Sequence, residues 1–147
     1  MPSDITVRTL GLEDYTRWMS LWQRAGLHSI RPRGRDSREA MATQLAGGSH
    51  AMLGLERGGE LLAVVLVTHD GRKGWINRLA VLTGERQRGH AARLVQAAEE
   101  LLKGQGIHVI SVLIEPGNDV SLSFFRHMGY VESEGMHYLS KRDGDEA

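Results

Sequence analysis

The chain of 147 residues contains no cysteine. That excludes a disulfide scaffold, a thiolate-ligated zinc site and a cysteine nucleophile together. Net charge is missing as well: 18 Lys and Arg stand against 18 Asp and Glu. Bulk charge therefore gives no reason to expect a general nucleic-acid or membrane-surface binder. Long apolar runs are absent too. The longest, residues 61–67, suits a buried strand and falls far short of a membrane span. The seven histidines form no His-x-x-x-His pair or other compact ligand cluster, so no metal is expected. Met1, Pro2, Ser3 and Asp4 lack a basic-then-apolar signal pattern, and a cytoplasmic protein is the expectation. What is present is ordinary for a globular chain: 41% hydrophobic and 24% charged residues. The length fits one domain over residues 1–147, with a polar, frayed tail at 141–147.

Periodicity divides the chain into elements. Ile5, Val7 and Leu10 alternate as in a half-buried strand, and Leu12, Tyr15, Trp18, Trp22 and Ala25 recur at helical spacing until Gly26. Pro32 and Gly34 mark a loop, and Asp36 with Glu39 has capping-box spacing for a short helix ending at Gly47. Three strands follow over residues 51–56, 61–68 and 75–82, separated by glycine-containing turns. The period then turns helical, with Ala91, Leu94, Val95, Ala98 and Leu102 on one stripe closed by Gly104 and Gly106. An apolar strand at 107–114 leads through Pro116 and Gly117 to a helix that buries Leu122, Phe125 and Met128. Residues 130–132 and 136–140 are expected to close the chain as a hairpin. Hairpins first and a strand–helix–strand unit later suit a mixed α/β (α+β) sheet with helices on its faces.

The segment that carries chemistry is N-R-L-A-V-L-T-G-E-R-Q-R-G-H-A-A, residues 77–92. A strand runs into a loop that opens an amphipathic helix, and Arg86, Arg88 and Gly89 stand at the junction. A helix start offers unpaired N–H groups and about half a positive charge, which suits an anion. Glycine permits close backbone approach, and guanidinium groups match phosphate oxygens. Residues 72–93 hold six basic residues against one acid. On spacing alone, a diphosphate site competes with a plain strand-to-helix turn whose arginines are solvated. The segment is neither a P-loop nor a Rossmann fingerprint, because the required lysine and glycines are missing.

L-A-V-x-x-x-x-R-x-x-G-x-A, followed by N-D-V-S-L-S-F-F-R-H-M-G-Y, resembles the GCN5-related N-acetyltransferase (GNAT) superfamily, in its small single-domain bacterial type. Arg86, Gly89 and Ala91 match the family's acetyl-CoA signature. Asn118 with Met128, Gly129 and Tyr130 matches its second marker. The resemblance implies a twisted, splayed, mostly antiparallel mixed sheet flanked by about four helices. It implies acetyl-CoA as co-substrate and direct acetylation of a primary amine on a small molecule or peptide, in a protein that often dimerises. Backbone amides of Gln87, Arg88, Gly89, His90, Ala91 and Ala92 would hold the CoA diphosphate. Leu79, Ala80 and Val81 would bind its pantetheine arm as an added strand and supply an oxyanion donor. Asn118 would contact the cofactor arm, and Phe125 would lie beside the thioester sulfur.

Two positions depart from the family pattern. An amine with a pKa of about 10.4 is about 99.9% protonated at pH 7, so some group must take a proton. Where many relatives carry Glu before the Leu-Ala-Val segment, this chain has Asn77, and where they carry an acidic Tyr it has Phe125. Phenylalanine donates no proton. One solution is positioning and backbone donors, with water relaying protons to a nearby group. The candidates are Glu115, at the end of its strand, which reads otherwise as a solvated loop carboxylate, and less firmly His69 and Ser121. An acceptor amine of low pKa is a second solution, and an acyl-CoA-binding module without transfer is the third. On the acceptor side, Arg31, Arg33, Arg35 and Arg38 face one acid, Asp36. They read either as a site for a carboxylate-bearing amine, with Arg31 and Arg33 foremost, or as a solvated, flexible basic loop.

Overall fold

A computed structural model describes residues 4–27 and 29–147 of the protein. Met1, Pro2 and Ser3, and with them the expectation on a signal pattern, lie outside the described residues, as does His28. The strands are β1 (Ile5–Leu10), β2 (His50–Arg57), β3 (Glu60–His69), β4 (Lys73–Val81) and β5 (Val109–Val112). The helices are α1 (Tyr15–Arg24), α2 (Arg38–Ala46), α3 (His90–Gly104) and α4 (Asp119–His127). One sheet has the order β1-β2-β3-β4-β5, antiparallel through β4, with β5 parallel to β4. The parallel step needs a crossover, and α3 provides it.

β3 explains the layering. Its residues 61–67 are all buried because both of its faces are covered. Side chains alternate across a strand, so Ala63, Val65 and Val67 join the core beneath α3 and α4, with Leu94, Val95, Ala98, Leu102 and Phe125. Val64 and Leu66 face the other way, into a core with Trp18, Trp22 and Met41 of α1 and α2. Trp18 and Trp22, one helical turn apart, are fully buried, and Tyr15 meets Trp18 edge-to-face at 5.5 Å. These tryptophans build the core. No helix among the described residues is long and apolar enough to cross a membrane.

Three expectations are corrected. The cap of α2 is Ser37, whose hydroxyl accepts the Ala40 N–H at 3.1 Å, and Asp36 is buried in other contacts. A serine at this place satisfies an orphan helix donor as well as aspartate does. The closing hairpin at 130–140 does not form: after α4 the described chain is irregular, and Val131, Met136 and Leu139 are exposed. A strand persists where its backbone groups find a partner strand, and among the described residues no strand lies beside this segment or beyond β5. The segment 141–147 is exposed but lies against the α1–α2 loop, where Glu146 pairs with Arg33 at 2.6 Å.

Leu94, fully buried at the centre of the α3 interface, gives the packing test. Leu94→Ala should lower the unfolding free energy by about 2–5 kcal/mol, read from urea denaturation.

Candidate active site

β4 has two neighbours for only part of its length. Lys73, Gly74, Trp75 and Ile76 pair with Val109, Ile110, Ser111 and Val112, and there β5 ends. From Asn77 to Val81, β4 keeps β3 on one side and, among the described residues, has no strand on the other. The pairing with β3 also slips: Leu66 faces Asn77 while Val64 faces Ala80, which puts an extra residue on β4. Such a bulge bends a strand and increases its twist. Arg78, within the bulge, has φ of 52°, a left-handed conformation that a long side chain rarely adopts.

The surroundings of Arg78 hold it there. Its guanidinium donates to Asp36 Oδ2 at 2.5 Å and to the Ser29 carbonyl at 2.9 Å, and stacks over the Trp22 ring at 5.2 Å. Its own carbonyl accepts the Trp22 indole N–H at 3.2 Å. Asp36 also accepts the Arg31 backbone N–H at 2.7 Å. The two charged side chains are only 10% and 3% exposed. The loop between α1 and α2 is thereby fastened to the bulge through Ser29, Arg31 and Asp36, while Arg33 and Arg35 stay exposed. Sequence reasoning did not single out Arg78; its signal was a cation in the interior of β4, between Asn77 and the apolar run 79–81.

Beyond β4 the chain turns through Thr83–Glu85 to the head of α3. Glu85 accepts hydrogen bonds from Arg57 at 2.6 Å and, with its other oxygen, contacts His90 Nε2 at 3.0 Å. The Arg57 hydrogen bond, reinforced by the contact with His90, lowers the Glu85 carboxyl to a pKa of about 2. Arg86, Gln87, Arg88 and Gly89 are exposed, and Gln87 and Gly89 both take positive φ. No side chain caps α3, so its first N–H groups face outward beside Arg86 and Arg88. The His90 ring is buried against Glu85, and only its backbone belongs to this surface.

Leu79 and Val81 pack against the same core as Phe125, while Ala80 is buried on the opposite face. Phe125 meets Phe124 and Tyr130 edge-to-face, at 4.9 and 5.2 Å. The turn bearing Glu115 and Asn118 leaves the sheet where β4 and β5 part, and both residues are exposed. Asn118 caps α4 through the Ser121 N–H at 3.2 Å. The Asn77 amide donates to Thr68 Oγ1 at 3.0 Å, and an amide takes no proton at neutral pH. Tyr130, the nearest phenol to Phe125 along the chain, donates to Glu99 at 2.7 Å; burial and that hydrogen bond raise its pKa well above the usual 10. It is a poor source of protons. Among the described residues no group of three His, Cys, Asp or Glu is placed to hold a metal ion.

The family model described as Acetyltransferase (GNAT) family matches residues 13–130. The acetyltransferase SG1711 of Sodalis glossinidius (strain morsitans) is 26% identical over 136 residues, covering 92% of this chain and 94% of its own. The structure of AAC(6')-Iy in complex with the bisubstrate analogue CoA-S-monomethyl-acetylneamine superposes with a TM-score of 0.80 at 18% identity, over 95% of this chain and 99% of that one. Glucosamine-6-phosphate N-acetyltransferase from Arabidopsis thaliana gives a TM-score of 0.73 at 16% identity, over 97% and 100%. Identities this low attest to the shared fold.

Two outcomes test this geometry. Arg78→Met leaves Asp36 buried without its cation and should cost about 3–5 kcal/mol in chemical denaturation; replacing Asp36 by Leu in that variant should recover much of the loss. Glu85 has a folded pKa depressed below its ordinary 4.5, so its stabilisation is present above that value and lost as pH falls towards about 2. The Tm difference between wild type and Glu85→Gln should be constant above pH 5 and shrink between pH 4.5 and 2, read by thermal denaturation across pH.

Proposed function

The chain belongs to the acetyltransferase (GNAT) family, and on that premise we propose that it transfers an acetyl group from acetyl-CoA directly to an amine nitrogen. The observation that carries this reading is the parted edge of β4, which runs straight into the uncapped head of α3. Acetyl-CoA supplies the activated thioester. The edge of β4 along Leu79, Ala80 and Val81 that faces away from β3, where the Val81 carbonyl takes a long contact of 3.5 Å from Arg86 Nε, matches an amide-bearing arm laid beside it as an extra strand. An N–H of that edge, aimed at the thioester oxygen, stabilises the charge that grows there during attack.

The diphosphate end is held by backbone N–H groups of Gln87, Arg88, Gly89, His90, Ala91 and Ala92. Arg86 and Arg88 add two exposed guanidinium groups. Positive φ at Gly89 keeps the backbone close to the ligand, and Glu85, bound to Arg57 and His90, keeps the loop in shape. Asn118 and Phe125 border the arm near the thioester. No cysteine is available to carry the acetyl group, which favours one direct step.

Proton transfer is carried mainly by water. Glu115, exposed beside the gap, accepts the amine proton through solvent. Asn77 orients that solvent and takes no proton itself. Phe125 offers no acid, and CoA thiolate leaves without one. The acetylneamine portion of the AAC(6')-Iy analogue supports an amine acceptor. The missing acid at Phe125 also favours a second reading, acyl-CoA binding without transfer.

Isothermal calorimetry should find saturable acetyl-CoA binding, weakened tenfold or more by Arg86→Ala combined with Arg88→Ala and lost in Gly89→Val, where a branched residue cannot keep the positive φ. Absence of binding to wild type overturns the proposal. Thiol release with a panel of amines separates transfer from silent binding, and Phe125→Tyr should preserve or raise that rate.

A further inference from the structure

The loop between α1 and α2 carries Arg31, Arg33 and Arg35, Arg38 opens α2 just after it, and the loop's one acid, Asp36, is already engaged by Arg78. Burial, and then repulsion from Arg78, lower the pKa of Arg35; Arg31 and Arg142 add to that repulsion. A cluster in which cations destabilise one another is relieved by an anion. The chain supplies one itself. Glu146 pairs with Arg33 at 2.6 Å, and the Glu146 carbonyl lies so close to Gly34 that a Cβ there would collide with it. Arg142 donates to the Ala147 oxygen at 2.7 Å, which folds the acidic segment back onto itself. Arg35, Tyr138, Lys141 and Asp143 line a groove at the same place.

We propose that this loop is a binding site for an acidic peptide, and that the chain's own segment 143–147, Asp-Gly-Asp-Glu-Ala, is its resident occupant. The Arg78–Asp36 pair fastens the loop to the β4 bulge, so the site borders the parted edge of β4. Resting on the transferase reading, the acceptor class that follows is an amine on a peptide bearing carboxylates. The pair that holds the segment is largely exposed, at 81% for Arg33 and 52% for Glu146, and exposed pairs are weak. An incoming acidic chain displaces it. Gly34 is needed for space at this contact, since its φ lies outside the left-handed region.

The probe is the fluorescein-labelled, C-amidated peptide Asp-Gly-Asp-Glu-Ala, followed by anisotropy against the full chain. In wild type the tethered segment competes at a high effective concentration, so the peptide binds weakly. The variant Asp143→Asn/Asp145→Asn/Glu146→Gln should bind it at least tenfold more tightly. Adding Arg33→Ala or Gly34→Val to that variant should abolish binding, and added salt should weaken it. Equal affinity in wild type and the neutralised variant, no binding to the variant, or binding that survives Arg33→Ala overturns the inference. Acetyl-CoA calorimetry on the same samples keeps the two readings apart. Acetyl-CoA binding without peptide binding removes the acidic-peptide site alone, and the reverse result removes the transferase reading.

Discussion

The buried ion pair of Arg78 and Asp36 fastens the loop ahead of α2 to the bulge of β4. Both charges are removed from water at a considerable cost, offset only because every partner is in place: the Ser29 carbonyl, the Arg31 N–H and the Trp22 ring. One end of the pair holds a residue of β4 in a left-handed conformation, and the other closes the loop ahead of α2. A strained backbone survives where its surroundings over-determine it, and here they do so from both the sheet and the helical layer.

The shape of the gap follows from that constraint. β5 is four residues long and ends opposite Ile76, and the bulge re-aims β4 just beyond that point. The unpaired edge then faces open space, not a sixth strand. The groups this edge presents are mostly main-chain atoms, whose positions are set by the fold. The Glu85 contacts with Arg57 and His90 serve the same end, anchoring the loop before α3 to β2 with side chains that need not touch a ligand.

The legible part of the protein was the part with local causes. The alternation of β3, the stripe of α3, the glycine before α3 and the asparagine that caps α4 were all visible in order. Asp36 misled because capping preference is a local rule, and Ser37 satisfied it equally well. Arg78 was overlooked because nothing near it in the chain explains a cation there; its partner lies 42 residues away. The expected hairpin at 130–140 failed for a related reason. Alternating apolar residues describe a surface that fits a sheet, but they do not provide a neighbour for it.

By itself, the sequence determined the element order as far as α4 and the burial of β3, since periodicity is a property of a chain. Tertiary structure decided where β4 would separate from β5, that the basic loop would be fastened down, and that acidic residues far along the chain would meet it. Those outcomes depend on pairing between distant residues, where the desolvation of charge and the satisfaction of backbone donors are settled by whatever partner the fold brings near.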